Sequence, residues 1–498
     1  MTKVSSQSPA RLFTAFGTVL YVDPSTGELR HGPTESSPSN LFFDPGKHSG
    51  SGERQGQLIH SDKGSPEPIV CHPDICLTGS RSQRENRASE PTMLELIPLE
   101  RGLMALKSGD VFLSAIPDGK VTLCAEVCST WELFLATESW CTDIVYKGAR
   151  WYSETDKFDR QRIQSYIVHP TIRADTNASC RKRKVLIYGY TKWSHGRVYY
   201  DLSKRLHSDG YIIDIIDWQN DNSAHFRGIK DYYDFFLTAL DGVSNLVDSY
   251  HVPYEKIIGI SHHEFDMRML IERKGIDVFD RLANYGVVSE YLYSASALRG
   301  IARLPKVVPL GVDYQYFFSA LPTSLTTVGY ATSMSLKTYG IELKRGELAE
   351  AAAREAGLAF KVAGSTANQV SFHDMPEFYR SVDAVVSTSI NESGPLSVLE
   401  GAAAGRLVIG TPVGHFPIKA YQGGGIVAPI EPEKFKAFTS STLRYYKENP
   451  AAFVDKCHET REAAVKFDWQ YMIDDWKELI DRPGSNSKLT PSTAPLSS

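Results

Sequence analysis

Two glutamates separated by seven residues, Glu392 and Glu400, stand at the ends of the segment Glu392-Ser-Gly394-Pro395-Leu-Ser-Val-Leu-Glu400. The run Asp383-Ala-Val-Val-Ser before it reads as a strand, and Leu396 to Gly405 after it as a helix with Pro395 near its start. Glu392 therefore falls in the loop at the carboxyl end of a strand, where ligands of open α/β sheets collect, and Glu400 falls on the helix. The helix start offers unpaired N–H groups and the positive end of a dipole, which suits a diphosphate. A carboxylate on each side can accept hydrogen bonds from hydroxyls, one from a sugar and one from a ribose.

The same segment resembles the paired-glutamate motif of retaining GT-B glycosyltransferases of the family-4 type, the glycosyl transferases group 1. The likeness continues through Arg406-Leu-Val-Ile-Gly-Thr-Pro-Val-Gly, which is similar to the family's next strand and glycine turn. The resemblance implies that Glu392 contacts the transferred sugar, that Glu400 holds the ribose, and that Gly394, Pro395, Leu396 and Ser397 lie by the diphosphate or sugar. Lys344-Arg345-Gly346 resembles the family's lysine before a helix, which neutralises the diphosphate. The arginine that usually follows the family's Val-Gly strand is absent, since Val328-Gly329 runs into Tyr330-Ala331-Thr332, and Lys337 or Arg345 is expected to substitute. Val308-Pro-Leu-Gly311-Val-Asp313, followed by Phe317, is similar to the phrase that ends the family's first lobe, with Leu310 where Asn is common. Ser194-His195-Gly196-Arg197 stands where the family has a glycine-rich loop, and Gly196 is the candidate for close backbone approach. Ile260-Ser-His262-His263 stands where a histidine often lines the cleft; both histidines remain candidates.

The implied reaction transfers a sugar from a nucleoside diphosphate, a UDP- or GDP-sugar, to an acceptor hydroxyl with retention at the anomeric carbon. The departing diphosphate assists deprotonation, and lysine, arginine and a helix dipole supply the charge without metal or cofactor. The acceptor, whether glycan, lipid-linked or protein, stays open.

The elements that must position these residues begin at Lys184. Val185-Leu-Ile-Tyr-Gly, a helix from about Val198 to His207 and Tyr211-Ile-Ile-Asp-Ile-Ile-Asp alternate as strand, helix and strand, the order of a parallel sheet. We expect a Rossmann-like domain over 181–318 and a second, nucleotide-sugar-binding one over 325–482, the two facing a cleft. Trp469 to Ile480 is amphipathic and expected to pack back on the preceding domain, and 483–498 reads as a disordered Ser/Pro tail. Before Lys184 the pattern is all-β over 11–178, with hairpins around Thr26-Gly27 and Asp118-Gly119. The phrases Phe-Leu-Ser-Ala, Asp-Gly-Lys-Val and Thr-Trp-Glu-Leu-Phe within 112–134 resemble the repeat of fascin-like β-trefoil domains. Trp131 and Phe134 are expected in that core, and Ser36 to Ser65 reads as a long surface loop.

Composition narrows the class. With 42% hydrophobic and 23% charged residues, the 498-residue chain is expected to be globular. A net charge of -5 gives no general attraction to nucleic acid. No apolar stretch approaches the ~20 residues of a membrane span, so a cytoplasmic protein is expected, with peripheral membrane contact left open. Seven scattered cysteines fit free thiols better than disulfides, and their spacings do not make a zinc site. A Rossmann oxidoreductase is disfavoured because Gly189 and Gly196 do not make Gly-x-Gly-x-x-Gly. The alternatives that remain are an inactive GT-B scaffold carrying a glycan- or protein-binding trefoil, and a phosphorylase or nucleotide-sugar epimerase on the same architecture.

Overall fold

A computed structural model describes residues 12–14, 18–32, 37–38, 40–45, 55–60, 66–87, 90–98, 103–136, 183–190, 193–209, 211–218, 226, 230–231, 233–338, 341–364, 370, 374–416 and 424–484. Most of the expected tail and residues 137–178 of the expected all-β domain lie outside these. The chain divides into two compact units. One comprises 1–191, 206–238 and 242–257; the other comprises 192–205, 239–241 and 258–498.

In the first unit, the described residues between 12 and 136 form mainly antiparallel strands around an apolar core that includes Leu12, Leu20, Leu58, Leu106, Leu113 and Phe134. Alternation of apolar and polar residues sends one face of each strand inward. The expected hairpins are present, Val19–Val22 pairing with Leu29–Gly32 and Val111–Ala115 with Val121–Ala125. Gly27 and Gly119, at φ +73° and +88°, supply turn conformations that side chains disfavour. Two expectations are corrected here. Leu41–Pro45 and Gln55–His60 pair as strands inside the segment read as a loop, and Leu41 and Leu58 from these strands are buried in the core. Phe134 is fully buried, whereas Trp131 sits on a single 3₁₀ turn, Thr130–Glu132, and is 45% exposed. The same unit contains parallel strands Ile212–Asp217, Lys184–Gly189 and Phe235–Ala239, in that spatial order.

In the second unit, Ile257–Ser261, Asn284–Val287 and Lys306–Val307 run parallel. A separate parallel sheet has the order Ala359–Val362, Thr327–Tyr330, Ala384–Ser387, Leu407–Gly410 and Ile426–Val427. Its central strands are buried on both faces, as the continuous runs Ala384-Val-Val-Ser and Leu407-Val-Ile-Gly require. Helix Trp469–Asp481 packs against the strands Asn284–Val287 and Lys306–Val307. It lies against the segments around 284 and 309–312: Trp476 Nε1 donates to the Pro309 carbonyl at 2.9 Å, and Asn284 Nδ2 donates to the Leu479 carbonyl at 2.7 Å. Gly311 is required for that contact, since a Cβ there would stand 2.7 Å from Trp469 Cγ. Among the described residues no helix is long and apolar enough to cross a membrane.

Candidate functional site

A pocket in the second unit opens at the carboxyl ends of the second parallel sheet. Its lining comes from the loops after three strands: Ala331 to Ser333, Ala363 with Gly364, and Glu392 with Gly394 to Ser397. Ser194 and Arg197, from helix Trp193–Ser208, complete it together with Lys344, Val370, Met375 and Glu400. Location at these strand ends follows from the parallel topology, because every crossover helix must start there and its free N–H groups face the same side. Helix Leu396–Ala403 starts at Pro395 with no side chain capping it.

The loop carrying Glu392 is held from behind. A Cβ on Gly394 would stand 2.9 Å from Leu310 Cδ1 and 3.2 Å from His415 Nδ1. Gly414, at φ +59°, lets the turn after Leu407–Gly410 press on the Ser393 carbonyl, where a Cβ would come within 2.6 Å. Asn391 Nδ2 donates to Glu264 Oε1 at 2.7 Å, which ties the loop to the start of helix Glu264–Lys274.

Lys344 and Arg345 lie on the hairpin strand Ile341–Arg345, which runs straight into helix Gly346–Glu355. Neighbours on a strand point to opposite faces, and the two cations separate accordingly. Lys344 is in ion-pair contact with Glu392, and its Nζ donates to Ser389 Oγ at 3.1 Å. Ser389 Oγ in turn donates to Glu392 Oε1 at 3.0 Å. Burial pushes the Lys344 amine down to about 7, while the touching carboxylate acts in the opposite direction. Arg345 turns away from the pocket and donates to the carbonyls of Thr388 (2.9 Å) and Ile430 (2.8 Å). It thereby fastens the base of the loop. The backbone of Lys337 lies on Ser335–Thr338, opposite Glu342, and its side chain lies outside the described structure.

Glu400 accepts a hydrogen bond from Tyr379 Oη at 2.8 Å and is 6% exposed. Burial pushes its carboxyl up to about 7, against the opposing pull of Arg197 and of the tyrosine. The next residue, Gly401, sets how near this helix comes to its strand: a Cβ there would meet Val385 Cγ2 at 2.8 Å.

The sequence pattern reads Gly196 as a loop residue; it occupies the first turn of helix Trp193–Ser208, and its neighbours Ser194 and Arg197 line the pocket instead. His262 and His263 follow strand Ile257–Ser261 as expected, but neither is among the described lining residues. The His262 ring packs edge-on against His195 with centroids 5.1 Å apart, and burial, then the neighbouring histidine, hold it well below its ordinary value. His263 caps helix Glu264–Lys274, its Nδ1 accepting from Phe265 N at 3.2 Å. Asp266 receives Ser261 Oγ (2.7 Å) and the N–H groups of His262 (2.8 Å) and His263 (3.1 Å), which fixes this turn. Sequence reasoning does not single out Arg197, Tyr379, Asn391 or His415. Burial keeps His415 neutral by pushing it down to about 4.

Four charged side chains thus line the pocket among the described residues: Arg197, Lys344, Glu392 and Glu400. Comparison with known proteins bears on what such a site belongs to. Residues 313–447 match the family model described as glycosyl transferases group 1. No curated protein sequence matches the chain. Among solved structures, sucrose-phosphate synthase from Thermosynechococcus elongatus is similar at 13% identity and TM-score 0.47, covering 60% of this chain and 98% of that one. HepE from Anabaena, solved in complex with UDP-glucose, is similar at 12% identity and TM-score 0.46, with 60% and 99% covered. The catalytic domain of starch synthase IV from Arabidopsis thaliana, bound to ADP and acarbose, is similar at 12% identity and TM-score 0.47, again with 60% and 99% covered. On the match over residues 313–447, the chain is a transferase.

Proposed function

We propose that this protein transfers a sugar from a nucleoside diphosphate to an acceptor hydroxyl, with retention at the anomeric carbon and without a metal ion. The observation that carries the reading is the pocket at the strand ends, where Lys344 meets Glu392 beside the uncapped start of helix Leu396–Ala403, with Glu400 in the same lining. In this reading Glu392 contacts the transferred sugar and Glu400 the ribose. The diphosphate lies between them, at Lys344 and the N–H groups after Pro395. As the bond from the anomeric carbon to the diphosphate oxygen breaks, the acceptor oxygen bonds to that carbon from the same face, and its proton passes to the departing diphosphate. Lys344 stabilises the charge that develops on the leaving group, and a cation already in place needs no reorganisation during the reaction.

Thermal unfolding with UDP-, GDP- and ADP-sugars tests the donor class. A ligand that binds only the folded protein adds about 2.7 kcal/mol of stability at a hundredfold excess over its Kd. We expect such a rise with a UDP- or GDP-sugar, strongly diminished in Lys344→Ala. Equal rises in the two proteins would remove Lys344 from the site, and no rise with any donor would remove the reading itself. Turnover that persists in a chelator, with the α or β configuration of the donor kept in the product, tests the remaining terms.

A further inference from the structure

Away from the pocket, in the all-β region, the antiparallel strands Glu67–Cys71 and Cys76–Thr78 bring two free thiols opposite each other. Cys71 and Cys76 are register partners, and directly paired residues of an antiparallel ladder present their side chains on the same face. Their pair is of the non-hydrogen-bonded kind. His72 N donates to the Ile75 carbonyl at 2.8 Å, which marks His72 and Ile75 as the hydrogen-bonded pair, and the two kinds alternate along the ladder. Cys71 N accordingly turns away from the partner strand and donates to Thr92 Oγ1 at 2.8 Å. Non-hydrogen-bonded partners have Cα atoms about 4.5 Å apart, inside the range a disulfide spans, and their side chains approach closest there. Burial first, and then the Cys71 thiol at hydrogen-bond reach, push the Cys76 thiol well above its ordinary value.

The turn between the strands holds this register. Pro73 has its φ preset for a turn, Arg87 Nη1 donates to Asp74 Oδ1 at 2.8 Å, and the His72 ring and Ser82 Oγ hydrogen-bond at 3.1 Å. Cys76 is fully buried and Cys71 half-buried, so a reagent from solvent meets Cys71 first. We propose that Cys71 and Cys76 form a redox-modification site, at which a low-molecular-weight disulfide closes a covalent bond across the hairpin. The Cys71 thiolate attacks one sulfur of the reagent, forming a mixed disulfide and releasing one thiolate. Cys76 then gives its proton to solvent and attacks the Cys71 sulfur, which forms the cross-strand bond and releases the second thiolate. The two cysteines lose two protons and two electrons in all, and the reagent is reduced to two thiols.

Equilibration of the full-length protein with mixtures of oxidised and reduced glutathione, followed by N-ethylmaleimide and trypsin, tests the site, because one tryptic peptide, 64–81, holds both cysteines. Closure appears by mass spectrometry as that peptide without label and lighter than the reduced form by two hydrogen atoms. Whatever the bond adds to folding, folding adds to the bond, so at one glutathione mixture the ratio of closed to open hairpin should be about tenfold or more higher in the folded protein than in the same chain in urea. The oxidised protein should melt at a higher temperature, a shift on oxidation that dithiothreitol reverses and that Cys71→Ser lacks. In Cys124→Ser/Cys128→Ser, which removes the other thiols of the nearby strands, closure should persist. Label on both cysteines, or glutathione retained on Cys71 without closure, in a mixture that modifies the exposed Cys124 would overturn the inference. Equal ratios in the folded and denatured chains would overturn it too, since the hairpin would then contribute nothing to the bond.

Discussion

Replacing Glu400 by Gln should stabilise the free protein at neutral and alkaline pH, by an amount that depends on pH in a defined way. Burial raises its carboxyl from 4.5 to about 7, and each pKa unit corresponds to about 1.4 kcal/mol between the two protonation states. Because the folded value is the higher one, the native state favours the protonated form. This contribution to stability is whole below pH 4.5, is lost progressively as pH rises toward 7, and stays lost above that. Glutamine mimics the protonated carboxyl and keeps an oxygen for Tyr379 Oη, which stands 2.8 Å away. Wild type and variant should therefore be equally stable near pH 4, with the variant ahead by about 2 kcal/mol at pH 6 and about 3 kcal/mol at pH 8. Urea denaturation of both proteins across that range measures the gap, and other titrating groups cancel because both proteins share them. A gap that does not change with pH, or a variant less stable than wild type at pH 8, would show that Glu400 is held ionised by Arg197 and would refute the reasoning.

Two further substitutions test the supports of the site. Gly311→Ala should destabilise the protein by about 1–3 kcal/mol through overpacking against Trp469, read as a lower denaturant midpoint. Asp266→Ala should cost about 3 kcal/mol, since Ser261 Oγ and the N–H groups of His262 and His263 all lose their acceptor; Asp266→Asn, which keeps one oxygen, should cost less.

The strand, loop and helix around Glu392 and Glu400 are legible in the sequence because local signals agree there: an apolar run, a Gly-Pro punctuation and a helix within some twenty positions. Motif likeness alone does not tell the neighbours Lys344 and Arg345 apart, although strand alternation separates them: one side chain enters the pocket and the other ties down Thr388. Arg197 carries no local signal of its place in the pocket lining. Its counterion, Asp201, is one turn along its own helix, but Trp469, which donates to the same carboxylate, and Glu400 come from more than 200 positions away in sequence. Apolar pattern also misleads at Trp131, which a single 3₁₀ turn carries outward and away from the expected core.

The return of helix Trp469–Asp481 to the segments around 284 and 309–312 bears on how the protein can be made. Asn284 waits for the Leu479 carbonyl, 195 positions later, and Gly311 for the indole of Trp469. During synthesis the strand Asn284–Val287 emerges long before the helix that covers it, so its apolar flank spends that interval exposed to association with other chains. Severing the protein between residues 318 and 325 would leave the earlier fragment without its cover, and the two halves should regain solubility only when produced together.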